Sequence, residues 1–420
     1  MKKQASFYIA LRYVWGRAKD GVRYLRGAAA GIAVSLVPII VTLIVADGMI
    51  RGITDRYLEL GTGHLQVFDY NNYEGFEKTK KEISGIDGIR GIWAEQHGMG
   101  VLAGRKGKTG VSVRAIETSF WDDASVTALL KIIDGVSKPQ SDRDIVLGET
   151  LARNINVKKG DTVRLMTITP AENSRMSPKT ASFTVAGIIS CGYNELDSIW
   201  CIISLEGAKR VFSQEPTTNY IIKIDNPYRN VYNIEWEMNM KLSGSYGIYT
   251  WQELLRSQYS SYQTTRQLLL FIMALIVLVA AVNVSSATSM LVIERQKDIA
   301  ILKISGAGVK DVMEVFLWGS FLTGFIGGFI GIAVGLLIGG NINILIRSLE
   351  KFLSLISGVF NGGEVKILDP GFYLETIPIV IDWGAVMVIW LFAIFCSVLA
   401  SWIPARKAGK LKPMELLRKT

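Results

Sequence analysis

The chain has 420 residues, 49% of them hydrophobic, with a formal net charge of +9, three cysteines and two histidines. Three cysteines exclude a disulfide-built scaffold, and His64 and His97, with no second histidine or cysteine at ligand spacing, argue against a metal site and read as surface or turn residues. The positive charge gathers beside long apolar runs, so it reports topology and contact with anionic lipid, and no nucleic-acid partner is expected.

The leader carries Lys2, Lys3, Arg12, Arg17, Lys19, Arg23 and Arg26, and its stretch FYIALRYVWGRAKDGVRYL has the pattern of an interfacial amphipathic helix. With a leader of about 26 residues before it and a length beyond that of a typical apolar signal core, the first apolar run is expected not to be a cleavable signal sequence. Four charge-free runs, Gly27–Ala46, Gln267–Ile293, Val315–Ile346 and Trp383–Ala405, each meet the requirement of about 20 residues for a spanning helix. Lipid-facing backbone must satisfy itself, so all four are expected to be helical. Pro38 gives a tolerable kink in the first, and the very long third run is expected to outrun the membrane or bend at its glycines. The layout is a leader (1–26), first span (27–50), extramembrane domain (51–262), second span (263–293), short amphipathic helix (294–314), third span (315–346), loop (347–382), fourth span (383–404) and tail (405–420). The tail is also basic, with Arg406, Lys407, Lys410, Lys412, Arg418 and Lys419, so both termini and residues 294–314 are expected in the cytoplasm. The expected fold is an α-helical membrane protein with four transmembrane helices and a large α+β domain on the outer side, inserted between the first and second.

Within that domain, GHLQVFD, GVSVRAI, DIVLG, DTVRLMTI, SFTVAGII, SIWCIISL and NYIIKID read as strands. Helices are expected at Ser119–Ile133, Glu149–Asn154, Glu206–Phe212 and Tyr228–Leu242, and Trp251–Arg266 should run as a helix into the second span. LAGRKGKTG lacks the glycine a phosphate loop needs at Leu102 and precedes a strand, so it reads as a basic hairpin. Thr169–Ala181, TPAENSRMSPKTA, is longer than a hairpin loop should be, and stands either as a functional loop or as a loose tip. Cys191 and Cys201 are either bridged or two small buried residues in adjacent strands, and Cys396 packs inside the fourth span.

Glu294–Phe316, ERQKDIAILKISGAGVKDVMEVF, alternates charge with isoleucine and leucine at helical spacing. A mere tether between two spans needs no apolar face, so Ile299, Ile301 and Leu302 must be buried against this chain or a partner. In the third span Gly319, Gly327, Gly331, Gly335 and Gly339 share an i+4 register, a small-residue ridge suited either to packing within the chain or to dimerisation. The second span carries Asn283, Ser285, Ser286, Thr288 and Ser289, suited to interhelical hydrogen bonding. Charge is absent from the middle of every span, so the chain lacks the intramembrane carboxylates of a proton-driven carrier, and work must come from a partner.

ERQKDIAILKISGAG resembles the hallmark of FtsX-like permeases, four-span subunits of ABC transporters, and WIPARKAGKLKPMELLR is similar to that family's Pro-Ala-Arg…Pro…Leu-Arg ending. IALRYVWGRAKDG, DIVLGETLARNINVKKGDTVRLM and DPGFYLETIPIVIDW are similar to motifs of its lipoprotein-releasing branch, the LolC/LolE family. The resemblance implies a bacterial inner-membrane permease with its large domain in the periplasm, no cofactor and no catalytic residue of its own, and ATP and Mg held by a LolD-like ATPase subunit. It implies a second LolC/LolE-like permease or a second copy of this chain, a lipoprotein substrate and a LolA-like periplasmic carrier. Glu294, Asp298, Ile299, Leu302, Lys303, Gly306 and Ala307 match the helix that couples to the ATPase. Thr169, Pro170, Ala171, Glu172, Asn173, Ser174, Arg175, Met176, Ser177 and Pro178 stand where one such permease carries a carrier-recruiting hook. Acyl chains are expected in an apolar cavity between the first two spans, at Val37, Ile40, Leu43, Ile44, Leu270, Met273, Leu275 and Val277. MacB-like efflux of peptides or small molecules, and FtsX-like signalling to cell-wall hydrolases, remain as alternatives.

Overall fold

The structure is a computed structural model and describes residues 6, 8–11, 21–69, 75–170, 176–212, 219–242, 246–359, 374 and 376–411. The chain forms two compact units, one of Met1–Gly48, Tyr262–Ile356 and Pro378–Thr420, the other of Met49–Ser261 and Ser357–Ile377.

Wholly or mostly in the first unit are the helices α1 (Gly21–Arg56), α2 (Arg256–Glu294), α3 (Gln296–Ile304), α4 (Val309–Gly340), α5 (Ile342–Val359), α6 (Trp383–Ala400) and α7 (Trp402–Lys410). Among the described residues, four helical stretches are long and apolar enough to cross a membrane, in the α1, α2, α4 and α6–α7 regions. The third apolar run does not bend at its glycines. It stops at Gly340, where Asn341 turns its amide to the Leu337 carbonyl, and a separate helix begins at Ile342. At the other end the third helix starts ahead of the apolar run, because the Asp311 carboxylate accepts from Gly308 N at 2.8 Å.

The glycine ridge faces α1 of the same chain. A Cβ on Gly327 would stand 2.5 Å from the Ala29 carbonyl oxygen, one on Gly331 2.8 Å from that of Ala33, and one on Gly335 2.8 Å from Ile40 Cβ. Alongside it, Gly324 meets Ser397 and Gly328 meets Trp390, both on α6. The ridge is therefore a packing device within the chain. Among the hydroxyls of the second span, Thr288 is buried and meets Ser320 at 3.3 Å and Ser401 at 3.1 Å, whereas Asn283 and Ser286 are exposed.

The second unit is a ten-stranded mixed sheet. Its strands are β1 (Leu65–Asp69), β2 (Ile89–Ala103), β3 (Lys108–Ile116), β4 (Lys131–Gly135), β5 (Asp144–Gly148), β6 (Thr162–Pro170), β7 (Met176–Ser190), β8 (Trp200–Ile203), β9 (Asn219–Ile224) and β10 (Tyr246–Thr250). Most pairs are antiparallel, but β3 with β8 and β5 with β7 run parallel. Two cores line it, one around Leu102, Val113, Leu147, Leu165, Phe183 and Ile203, the other around Leu65, Ile83, Ile222, Ile234, Met238 and Trp251.

The seven expected strands are present and LAGRKGKTG is the β2–β3 hairpin, with Ala103 opposite Lys108. Strands β2, β4 and β10 and the helix Gly75–Ser84 were not expected from the sequence. The helix expected over Ser119–Ile133 breaks at Asp123, whose carboxylate caps a new helix, Ala124–Leu129, by accepting from Ser125 N at 2.9 Å. Lys131–Gly135 then leaves to pair with β7. The helix expected over Glu206–Phe212 is a single turn, Leu205–Ala208. Cys191 and Cys201 are buried and unbridged.

Candidate functional sites

The amphipathic segment between the second and third spans folds as α3, and its two apolar sides have different fates. Ile299 is fully buried in this chain's own core with Leu291, Val312, Phe316 and Ala405. Ile301 and Ile304 lie on another face and are 61% and 65% exposed. Of the two burials open to it, Ile299 thus takes the one within this chain, whereas Ile301, expected buried with it, is left exposed beside Ile304. Lys303 is likewise engaged at home, its ammonium donating to the carbonyls of Gly409 at 2.7 Å and Leu411 at 2.5 Å. Gly306 has φ +94°, the left-handed conformation that ends a helix, with Ala307 N donating to Leu302 O at 3.0 Å. Glu294 is exposed at the end of α2, Asp298 pairs with Arg295 at 3.3 Å, and Leu302 and Ala307 are half-buried.

The long loop is mostly a ladder. Strand β6 continues through Thr169 and Pro170, and β7 begins at Met176, with Thr169 opposite Ser177 and Pro170 opposite Met176. Pro178 is tolerated because, among the described residues, β7 pairs at that point with β6 alone, so its missing N–H breaks no second ladder. The expected loop Thr169–Ala181 is therefore corrected to a two-stranded arm, and Ala171, Glu172, Asn173, Ser174 and Arg175 lie outside the described residues. On the arm and the neighbouring strand, Ile168 and Met99 are exposed.

The residues expected to line a cavity between the first two spans largely fill one another's space. Ile40, Leu43, Ile44, Met273 and Val277 belong to one packed cluster with Leu36, Ala281 and Ile389. Val37 is half-buried, and Leu270 and Leu275 are exposed. The cavity expected there is corrected to a closed apolar seam, since side chains of both helices interdigitate where it would lie.

A polar cluster in the second unit was not anticipated. Lys223 on β9 is fully buried, with its ammonium 3.1 Å from Glu59 Oε2, 3.2 Å from Asp123 Oδ1 and 2.8 Å from Ser125 Oγ. His64, expected as a surface or turn residue, lies in the bend before β1 and is buried beside Lys223. Its Nδ1 accepts from Ile224 N at 2.8 Å, which leaves the proton on Nε2 to donate to Glu59 at 3.0 Å. Arg114, also buried, lies 2.5 Å from Glu95 and donates to the carbonyls of Leu60 and Gly61. Glu59, Leu60 and Gly61 belong to the π-helical turn Tyr57–Thr62 that follows α1, so side chains of β3 and β9 satisfy a widened turn that ordinary helical bonding would not. Burial works against the ionised Asp123 carboxyl, but hydrogen bonding from Ser125 and the Lys223 charge outweigh it and hold its pKa below the ordinary value. Sequence could have flagged Lys223, since NYIIKI is apolar on both sides of the lysine, the mark of a strand buried on both faces.

Residues 270–413 match the FtsX-like permease C-terminal domain, and residues 27–229 match the MacB-like periplasmic core domain. Over these residues the chain is similar to FtsX-like permeases and to MacB-like periplasmic core domains. Matching curated relatives include the "Lipoprotein-releasing system transmembrane protein LolC" of Xylella fastidiosa (strain 9a5c), 28% identical over 98% of both chains. The LolC protein of Neisseria meningitidis serogroup B is 25% identical and the LolE protein of Haemophilus influenzae 24%, again over 98% of each chain. The FtsX-like match contains α3 and the seam on the α2 side, while the MacB-like match contains the arm and the Lys223 cluster.

Proposed function

We propose that the permease is the membrane subunit of an ABC transporter that releases lipoproteins from the bacterial inner membrane and passes them to a LolA-like periplasmic carrier. Similarity to LolC and LolE proteins along nearly the whole of each chain carries this reading, because it spans the membrane helices, α3 and the periplasmic core together. In this reading both termini and α3 are cytoplasmic, and the sheet domain is periplasmic. ATP and Mg belong to a LolD-like subunit, and a second LolC/LolE-like permease or a second copy completes the unit.

The exposed pair Ile301 and Ile304 gives the ATPase an apolar anchor, rimmed by Glu294, Lys297 and Lys310, which fix register by charge. Lipoprotein acyl chains enter along the seam between α1 and α2, and ATP-driven movement expels them towards the carrier held at the β6–β7 arm. Burial stabilises an acyl chain by about 0.8 kcal/mol per methylene, so release needs both external work and a second apolar site in the carrier.

The reading is tested in proteoliposomes holding the permease, its ATPase and any second permease, with transfer of a triacylated lipoprotein to soluble carrier as the readout. Transfer should require ATP. Ile301→Glu with Ile304→Glu should abolish co-purification of the ATPase while the permease remains inserted, since both side chains are exposed in the isolated chain. Undiminished co-purification would refute the anchor, and ATP-independent or absent transfer by the wild type would refute the function.

A further inference from the structure

At one end of the closed seam three helices are tied by charge. Arg266 on α2 places Nε 2.9 Å from Asp47 Oδ1 on α1, and one terminal nitrogen donates to Asp47 Oδ2 at 3.3 Å and to Asp382 Oδ2 at 2.7 Å. The other Asp382 oxygen accepts from Ala385 N at 3.1 Å and so caps the first turn of α6. One guanidinium therefore fastens the second span to both the first and the fourth, immediately above the packing of Ile44 and Met273.

We propose that Arg266 is the latch of the acyl-chain seam, holding α1 and α2 together in the empty permease and letting go when the seam admits a lipid chain. The proposal rests on the lipoprotein reading for its cargo, but the latch itself is a property of the chain. Within a bilayer, lipid tails are as apolar as the side chains they would displace, so parting Ile40, Leu43 and Ile44 from Met273 and Val277 forfeits little. An acyl chain replaces those contacts like for like. It cannot replace a guanidinium shared by two carboxylates, so the tie is the contact that distinguishes closed from open.

The test uses thiol accessibility of Met273→Cys, a position 5% exposed in the closed seam, in full-length permease with Cys191, Cys201 and Cys396 changed to alanine. An uncharged maleimide should label it slowly with Arg266 present. Arg266→Gln should raise the labelling rate at least several-fold, Asp47→Asn should also raise it because Asp47 is the arm of the tie that reaches α1, and Arg266→Lys should restore slow labelling. If Arg266→Gln proves poorly inserted, Asp47→Asn alone carries the comparison. Labelling unchanged by both Arg266→Gln and Asp47→Asn would overturn the latch. Because labelling needs no lipoprotein, ATPase or carrier, a permease with a working latch that fails to transfer lipoprotein would refute the transport reading and leave the latch standing.

Discussion

Replacing Lys223 with alanine should destabilise the periplasmic core by about 3 kcal/mol, at the lower end of the 3–5 kcal/mol typical for removing one partner of a buried ion pair. The lysine is wholly buried, but Glu59 and Asp123 are 17% and 14% exposed, so water can partly solvate the two carboxylates left behind. The change also removes the contact of the ammonium with the Phe120 ring, 4.8 Å away. For a domain of about 150–250 residues each kcal/mol moves the midpoint by about 2–4 °C, so the core should melt about 6–12 °C early. Cys201, fully buried in β8, reports this in the full-length permease when Cys396 is changed to alanine, because its thiol reacts with a fluorogenic maleimide only when the sheet opens. The triple variant Lys223→Met, Glu59→Gln, Asp123→Asn removes the charges together and should recover most of the lost stability. A single variant melting at the wild-type temperature, or a triple variant as weak as the single, would refute the account of the cluster.

Two further outcomes are expected. Gly331→Leu should force α4 away from α1, because even its Cβ would meet the Ala33 backbone at 2.8–2.9 Å, at a cost of about 1–3 kcal/mol, whereas Gly340→Ala, with nothing within 4 Å, should be silent; Cys396 reactivity in the same helical core reads both. Asp123 has a folded-state pKa below its ordinary 3.8, so the stability it contributes is complete above that value and is lost as the pH falls through the folded value; the melting temperature of wild type should drop over that acidic window more steeply than that of Asp123→Asn.

The four spans were legible because length without charge suffices to identify them, and the seven strands because alternation and turn residues mark them. The fate of α3 was only half legible. Periodicity shows that Ile299, Ile301 and Ile304 are helical, but at 3.6 residues per turn Ile299 and Ile301 stand about 200° apart, and chemically identical side chains do not say which side faces home. Packing against Phe316 and Ala405, about 17 and 106 positions away, decided it. Strand β2 was missed for a similar reason: His97, Gly98 and Gly100 interrupt its pattern, and those glycines are required because a Cβ would stand 2.4 Å from Phe212 or 2.9 Å from the Met166 carbonyl. The Lys223 cluster gathers residues from four separate segments, which no local window could join.

The membrane unit divides its contacts by how readily they can be remade. Helix α4 meets α1 and α6 through glycine, with backbone near backbone, and such contacts are lost abruptly when helices part. Helix α2 contains no glycine at all between Arg256 and Glu294, so it approaches its neighbours only through side chains. Its inner contacts include Met273, Val277, Ala281 and Val284, and its polar ones include the hydroxyl of Thr288 and the guanidinium of Arg266. Flexible apolar side chains repack around a guest, and methionine more readily than most. Under the proposed lipoprotein reading, the fixed frame is therefore α1, α4 and α6 and the moving wall is α2, with the Arg266 guanidinium placed at the end of the wall where a small displacement breaks or makes the tie.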